Sequence, residues 1–358
     1  GDGPIFQTAL FHHGAAERAM NESNMPKSRR AAGLRRIATS LWYADKGKVE
    51  RRMAPLDPPR PGEALVRTLF TGISRGTERL VFSGAVGPSE WERMKAPFQD
   101  GAFPFPVKYG YCAVGVVDIG PPELQGRTVF CLHPHQDCFN APVGMLVPVP
   151  DSIPARRATL AANMETALNA LWDSGAGPGD RIVVVGCGIV GLLIGYLAAG
   201  MPGAEVTLVD VAEERRALVE TLGAAFALPG DAPRGADVVF HTSVTQAGLN
   251  TAIDSAGMEG TIVELSWYGE KPVSIGLGGA FHSQRLKIVS SQVGQVSPGR
   301  RPRWDYRRRM EAALRLLDDA RLDALVEEDV RFADAVAALP AILAPGAGGL
   351  APVIRYTE

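Results

Sequence analysis

Disulfides, membrane spans and a one-signed surface are all missing from this chain. Only four cysteines occur in 358 residues: Cys112, Cys131, Cys138 and Cys187. Their spacing is not that of a zinc knuckle, and a chain this long needs no disulfide frame. A reducing, cytoplasmic setting is therefore expected. No apolar run approaches the roughly 18 residues of a membrane helix, so no membrane partner is expected. The formal net charge is −2, which argues against a nucleic-acid partner. Internal repeats and low-complexity tracts are absent too.

What is present fits a soluble globular protein. Hydrophobic residues make up 46% and charged residues 21%. The length allows two or three domains with a sizeable core. The 40 glycines and 27 prolines predict frequent turns. Residues 1–34 have little periodicity and read as an N-terminal extension, either upstream of Met25 or a disordered tail. Arg29, Arg30, Arg35 and Arg36 resemble a targeting segment, but no apolar run follows them.

Residues 37–150 read as β-rich. "GEALVRTLFTGIS" alternates as a half-buried strand does, and "YCAVGVVDIG" and "GRTVFCLH" add short strands set off by Gly and Pro. The pattern changes near residue 154, where "PARRATLAANMETALNALWDSG" takes helical spacing. Strands and helices then alternate. "RIVVVG", "EVTLVD", "ADVVFHT" and "GTIVELS" are strands separated by helices over 188–200, 212–223 and 246–257, and "LKIVSSQ" closes the set. Apolar strands between amphipathic helices imply a parallel sheet covered on both faces, an α/β fold.

Within "RIVVVGCGIVGLL", Gly186, Gly188 and Gly191 form G-x-G-x-x-G between a strand and a helix. The first glycine allows the turn, the second lets backbone approach a pyrophosphate, and the third lets helix and strand pack closely. The amides from Gly188 through Ile189 and Val190 then head the helix, where phosphate is favoured. Asp210 ends the next strand, 19 residues after Gly191. A carboxylate there accepts hydrogen bonds from both ribose hydroxyls and repels a 2′-phosphate, so NAD is the preferred cofactor. Arg215 and Arg216 keep NADP as the alternative, since either can receive a 2′-phosphate.

The order of these units resembles the medium-chain dehydrogenase/reductase superfamily over about residues 37–358. "PGEALVRTLFTGISRGTE" is similar to the segment carrying the first zinc ligand of alcohol dehydrogenases, and "FPVKYGYCAVGVVDIG" to their G-H-E-x-x-G-x-V segment. "ANMETALNALWDSGAGPGDRIVVVGCGIVGLL" is similar to their linker helix and first nucleotide-binding strand. "GISRGTE" and "LHPHQD" most resemble a zinc-lacking branch near the bacteriochlorophyllide dehydrogenases, which oxidise a hydroxyethyl group on a chlorin. The resemblance implies a GroES-like, β-rich catalytic domain over 35–165 and 292–358, and a Rossmann domain, a doubly wound parallel sheet, over 166–291. It also implies a homodimer joined through the edge strand of the nucleotide domain.

The zinc-ligand positions of the family fall on Ser74, on Tyr111 and Cys112, and on Ala162. Ser, Tyr and Ala do not supply thiolate, imidazole or carboxylate, so no catalytic zinc is expected. "CLHPHQDC" holds Cys131, His133, His135, Asp137 and Cys138, which leaves a metal site conceivable. The preferred reading is a loop with one histidine lining a pocket and the other bonded to backbone. Without zinc, hydrogen-bond donors must hold the substrate oxygen. The candidates are Ser74, Thr77, Tyr111 and His135, with Thr77 as a proton relay and His135 as general acid or base. Glu78 is expected to hold Arg75 or a backbone N–H. Glu165 is a pocket carboxylate or a helix surface charge.

Past the strand ends, Thr242, Ser266, Trp267 and Ser291 are expected to line the cofactor. His241 either joins them or is a satisfied structural histidine. The basic run "GRRPRWDYRRR", residues 299–309, is either a patch for a substrate carboxylate or phosphate or a solvated helix start. The function expected is an NAD(P)-dependent oxidoreductase interconverting an alcohol and a carbonyl of a small-molecule substrate without zinc. An enone or quinone reductase and a non-catalytic dinucleotide sensor are the alternatives.

Overall fold

A hairpin begins the computed structural model, which describes residues 36–357; the expected N-terminal extension lies outside them. β1 (Arg36–Asp45) and β2 (Lys48–Leu56) pair antiparallel around Gly47, whose φ of 71° suits a residue without Cβ. β3 (Glu63–Gly72) was expected to be half-buried from its alternation. Instead Ala64, Leu65 and Val66 are all buried in succession. β3 lies mid-sheet and pairs with three strands, and its Ala64 and Val66 join the apolar cluster of Val117, Phe139 and Leu146, while Arg67 stays exposed.

α1 (Arg75–Phe82) follows β3 at once and carries Thr77 and Glu78. β4 (Ala113–Ile119), β5 (Thr128–Cys131) and β6 (Cys138–Pro142) complete the centre of the first domain. The predicted long helix after residue 154 is two pieces: a single turn, Ala155–Ala158, then α2 (Ala161–Ser174). α2 stops at Gly175, in the left-handed conformation that favours glycine.

The alternating half is as the periodicity predicts. β7 (Arg181–Val185), α3 (Ile189–Ala199), β8 (Glu205–Val209), β9 (Ala225–Ala227), β10 (Ala236–His241), α4 (Gln246–Ser255), β11 (Ala256–Glu264) and β12 (Lys287–Ser290) form the second domain. β9 was missed because three residues carry too little pattern. The helix expected over 212–223 is a tight turn at Glu213–Arg215 and a short helix at Arg216–Thr221. The six strands are all parallel, in the order β9-β8-β7-β10-β11-β12. The order reverses beside β7, and the carboxyl ends of β7 and β10 at such a point are where ligands bind in sheets of this kind.

The chain then returns to the first domain through α5 (Tyr306–Arg315), β13 (Val326–Arg331) and β14 (Ala351–Arg355). β14 pairs antiparallel with β3 in a seven-stranded sheet, whose path β13-β14-β3-β4-β5 is extended by a short strand at Val147–Pro148, while β6 pairs with β3 off that path. The largest apolar cluster joins Met164 and Ala167 of α2, Leu192 and Leu193 of α3, and Val184, Leu208 and Phe240 of the parallel sheet. This core fixes α2, the link between domains, against the nucleotide half. Among the described residues, no helix is long and apolar enough to cross a membrane.

Candidate functional site

The three glycines differ in what they permit. Gly186 has φ 108°, and a Cβ there would lie 2.7 Å from Thr242 Oγ1 and 2.8 Å from Ser243 N. A Cβ on Gly191 would lie 1.9 Å from Gly186 O, so strand end and helix touch at bare backbone. Gly188, which caps α3, has nothing within 4 Å of its missing Cβ. The first-turn amides of Ile189 and Val190 have no acceptor within the helix, and the helix dipole stands behind them.

Asp210 sits at the same place. Its Oδ2 accepts the Cys187 N–H at 2.6 Å, and its Oδ1 accepts the Ala212 N–H at 2.9 Å. Each oxygen keeps acceptor capacity for a further donor. The Cys187 thiol beside it is pushed up to about 12, first by burial and then by Asp210. Arg216 forms a forked pair with Glu213 and covers the Phe226 ring at 4.7 Å. Arg215 donates to Gly349 O at 3.2 Å, a contact with the returning segment.

Across the crevice, Thr242 donates to Gly186 O at 3.0 Å, tying β10 to the glycine turn. His241 is fully buried, with Nδ1 2.8 Å from Glu264 Oε2 and Nε2 2.7 Å from Ser243 Oγ. Burial works against the Glu264 carboxylate, yet His241 and Ser266 hold its pKa below the ordinary value. Ser266 Oγ accepts the Val244 N–H at 3.1 Å, and Tyr268, its phenol pushed up to about 12 mainly by burial, lies 3.3 Å from Glu264 Oε2. Trp267 packs on the apolar cluster of the first domain. Ser291 donates instead to Asp173 at 2.7 Å, fastening the strand end to α2.

In the first domain the Tyr111 hydroxyl donates to Ser74 Oγ at 2.7 Å and lies 3.2 Å from Thr77 Oγ1. These three candidates are therefore one cluster, held at the start of α1. Burial raises the Tyr111 phenol well above its ordinary range and does the same to the Cys112 thiol. Glu78 accepts the Ser74 N–H at 2.8 Å and the Tyr43 hydroxyl at 2.5 Å. Arg75, its other expected partner, goes to Glu327 and Ile342 O.

Two expectations need correction. His135 does not face an open cleft: it is 1% exposed, with Nε2 at 2.8 Å from Glu78 and Nδ1 at 2.7 Å from Thr71 Oγ1. Both ring nitrogens are spent inside the core, so no substrate proton lies within its reach. Glu165 is neither a pocket carboxylate nor a surface charge. It is buried against Arg309 at 2.9 Å, and burial raises its pKa while Arg309 opposes the rise. Arg309 also donates to Asn169 Oδ1 and to the carbonyls of Val293 and Gln295, which pins α2 to the returning chain.

The histidines of "CLHPHQDC" diverge. His133 stacks on Phe139 at 3.8 Å and bonds its neighbour's carbonyl, and burial takes its pKa down to about 3. Among the described residues, no three His, Cys, Asp or Glu side chains are grouped to hold a metal ion. The basic run is also explained in part. Asp305 caps α5 by accepting the Arg308 N–H, which relieves the charge misfit at that helix start. Arg300 covers Trp172 and Arg308 covers Trp304.

Sequence reasoning missed Ser243, Glu264 and Tyr268. Their one signal is position: each lies within a few residues of the carboxyl end of a predicted strand.

Residues 190–318 match a family model described as zinc-binding dehydrogenase. The D-xylulose reductase of Saccharomyces cerevisiae is 27% identical over 195 residues, 46% of this chain and 55% of that protein. The chain thus spans about half the length of that curated relative, and 42% of an uncharacterized zinc-type alcohol dehydrogenase-like protein of Haemophilus influenzae that is 28% identical. The fold matches 2R,3R-butanediol dehydrogenase of Bacillus subtilis with a TM-score of 0.73 and 18% identity, over 89% of this chain and all of that one. It also matches a zinc-binding dehydrogenase of Sinorhizobium meliloti, solved bound to NADP, with a TM-score of 0.70 and 18% identity, over 90% of this chain and 100% of that one. The solved structures share the fold of this chain, and the sequence match to the zinc-binding dehydrogenase model is confined to residues 190–318.

Proposed function

We propose that this protein is an NAD(P)-dependent oxidoreductase that interconverts an alcohol and a carbonyl by hydride transfer without a catalytic zinc. One observation carries the reading: the Asp210 carboxylate accepts the N–H of Cys187, the residue next to Gly188, where a Cβ would meet nothing within 4 Å. The amides from Gly186 through Gly191 suit a pyrophosphate, and Asp210 suits a ribose diol. Thr242, Ser266 and Trp267 are the residues proposed to line the nicotinamide side, whereas Ser291 is held by Asp173. The engagement of Arg216 by Glu213 favours NAD over NADP, with Arg215 the remaining cation for a 2′-phosphate.

A bound nicotinamide supplies the hydride acceptor or donor. The chain's own groups hold the oxygen and move its proton. The Tyr111 phenol, kept neutral by burial, is the donor proposed for a carbonyl oxygen, its one O–H turning to the substrate from Ser74 Oγ, with the Ser74 and Thr77 hydroxyls beside it to continue the relay. His135 acts behind them as a positioning residue, through Glu78 and the Ser74 N–H. The family's zinc does not fit these positions. Two hydroxyls bonded to each other and the Ala162 methyl leave Cys112 as the one thiol, imidazole or carboxylate at these positions, fewer than the three ligands a catalytic zinc needs. The same neutral donors suit reduction of an enone or quinone, which is the second reading.

A small-molecule substrate and a second copy of this chain are the partners proposed. β12 is an unpaired sheet edge with Ile288 exposed, and such an edge is a template for pairing. The resemblance to the zinc-lacking branch and a cytoplasmic setting, in keeping with four free cysteines, belong to the same reading. Fluorescence titration with NADH and NADPH, metal analysis, and turnover on alcohols and enones test it together. NADH should bind more tightly than NADPH, and alcohols should turn over without bound zinc. Failure of both cofactors to bind sinks the reading, and a stoichiometric zinc required for turnover removes its zinc-free part.

A further inference from the structure

The cluster around His241 is larger than ribose binding needs. Ser243 Oγ, the His241 ring and Glu264 lie in line, at 2.7 Å and 2.8 Å. Glu264, held in its ionised form, only accepts. His241 Nδ1 therefore carries the ring proton, Nε2 accepts, and the Ser243 hydroxyl donates to it. Thr245 completes the order: its Oγ1 accepts the Gly248 N–H at 3.0 Å, and its hydroxyl lies 2.9 Å from Ser243 Oγ.

The backbone agrees with a purpose for this order. Ser243 stands in the turn between β10 and α4, at the carboxyl edge of a parallel sheet. The next residue, Val244, has φ 55°, a strained conformation for a β-branched side chain. A Cβ on Gly248 would lie 2.0 Å from Ser243 Oγ, so the hydroxyl is seated against the first turn of α4. A serine on a strained strand-to-helix turn, with a histidine base oriented by a carboxylate, is the arrangement that activates a hydroxyl for acyl transfer.

We propose that Ser243, His241 and Glu264 form a nucleophilic centre that hydrolyses small, uncharged carboxylic esters, an activity separate from hydride transfer. Ser243 Oγ bonds to the ester carbonyl carbon as its proton passes to His241 Nε2. The carbon–alkoxy bond breaks, and the alcohol leaves with that proton. Water then attacks the acyl-serine, giving a proton to Nε2. The serine ester bond breaks, Ser243 regains the proton, and a carboxylic acid is released. No redox partner is needed. An uncharged ester is specified because the Glu264 carboxylate repels an anion.

The test uses the full chain without cofactor, treated with a fluorophosphonate probe and assayed with p-nitrophenyl acetate. One adduct is expected, at Ser243 by peptide mass mapping. Ser243→Ala should lose it, and His241→Gln and Glu264→Gln should slow labelling, the former about a hundredfold. Absence of an adduct at Ser243 in the unsubstituted protein overturns the proposal, whatever the variants do. So does an adduct elsewhere, or equal labelling of a folded His241→Gln or Glu264→Gln protein. NADH titration of the same sample keeps the two readings apart. Binding without labelling removes this proposal alone, whereas labelling without binding removes the oxidoreductase reading alone.

Discussion

The two domains each contain a histidine bonded to a glutamate at 2.8 Å, yet the pairs do different work. His135 and Glu78 are both 1% exposed at their side chains. Every polar atom of that pair is consumed by Thr71, Tyr43 and the Ser74 N–H, so it can only hold the turn that presents Ser74, Thr77 and Tyr111. His241 is as deeply buried, but Glu264 keeps 18% of its side chain in contact with solvent and Ser243 extends the line outward. The same chemical pair is scaffolding when closed on all sides and a proton path when one end reaches a crevice. Burial of the terminal hydroxyl, more than the pair itself, separates the two roles.

Truncating the closed pair should produce the largest effect. Glu78→Ala takes the partner from His135 Nε2, the Tyr43 hydroxyl and the Ser74 N–H, and urea unfolding should report a loss of about 3–5 kcal/mol. Tyr111→Phe comes next. The fold should hold, while kcat falls about a hundredfold, as for removal of one donor to a reacting oxygen. The open pair should cost less when cut: about 1–2 kcal/mol for Glu264→Ala, because water can reach the vacated side. Equal stability losses for the two glutamate variants would erase the contrast drawn above.

Asp210→Asn sharpens the picture from outside both pairs. It should weaken NADH about tenfold, equivalent to about 1.4 kcal/mol, and narrow the gap to NADPH in the fluorescence titration. The smallest effect concerns pH. The Glu264 carboxyl is depressed in the folded chain relative to its ordinary value of 4.5, so the unfolded chain binds the proton first. Its contribution is complete above pH 4.5 and is lost as pH falls through the lower, folded value. Acid titration of Glu264→Gln should lack that component, and an unchanged profile would show that the carboxylate gains nothing from His241.

The parallel sheet and the glycine notch were legible because their causes are local. Apolar runs, glycine spacing and an acid at a strand end all fall within one βαβ unit. The polar networks were not. Glu78 and His135 lie 57 residues apart, and Glu165 and Arg309 lie 144 apart. Such partners are chosen by packing, which no periodicity encodes. Glu165 carried an ordinary helix pattern while its true partner lay in a run that reads as a solvated basic patch. Tyr111 was selected for its place in a resemblance, and its link to Ser74 needed the fold.

His241 and Glu264 are direct register partners on the neighbouring parallel strands β10 and β11. A slip of one residue would turn one of them to the opposite face and strand an imidazole in hydrocarbon. The relay therefore proofreads the alignment of the sheet during folding: only the correct pairing lets both side chains discharge their hydrogen-bonding demand.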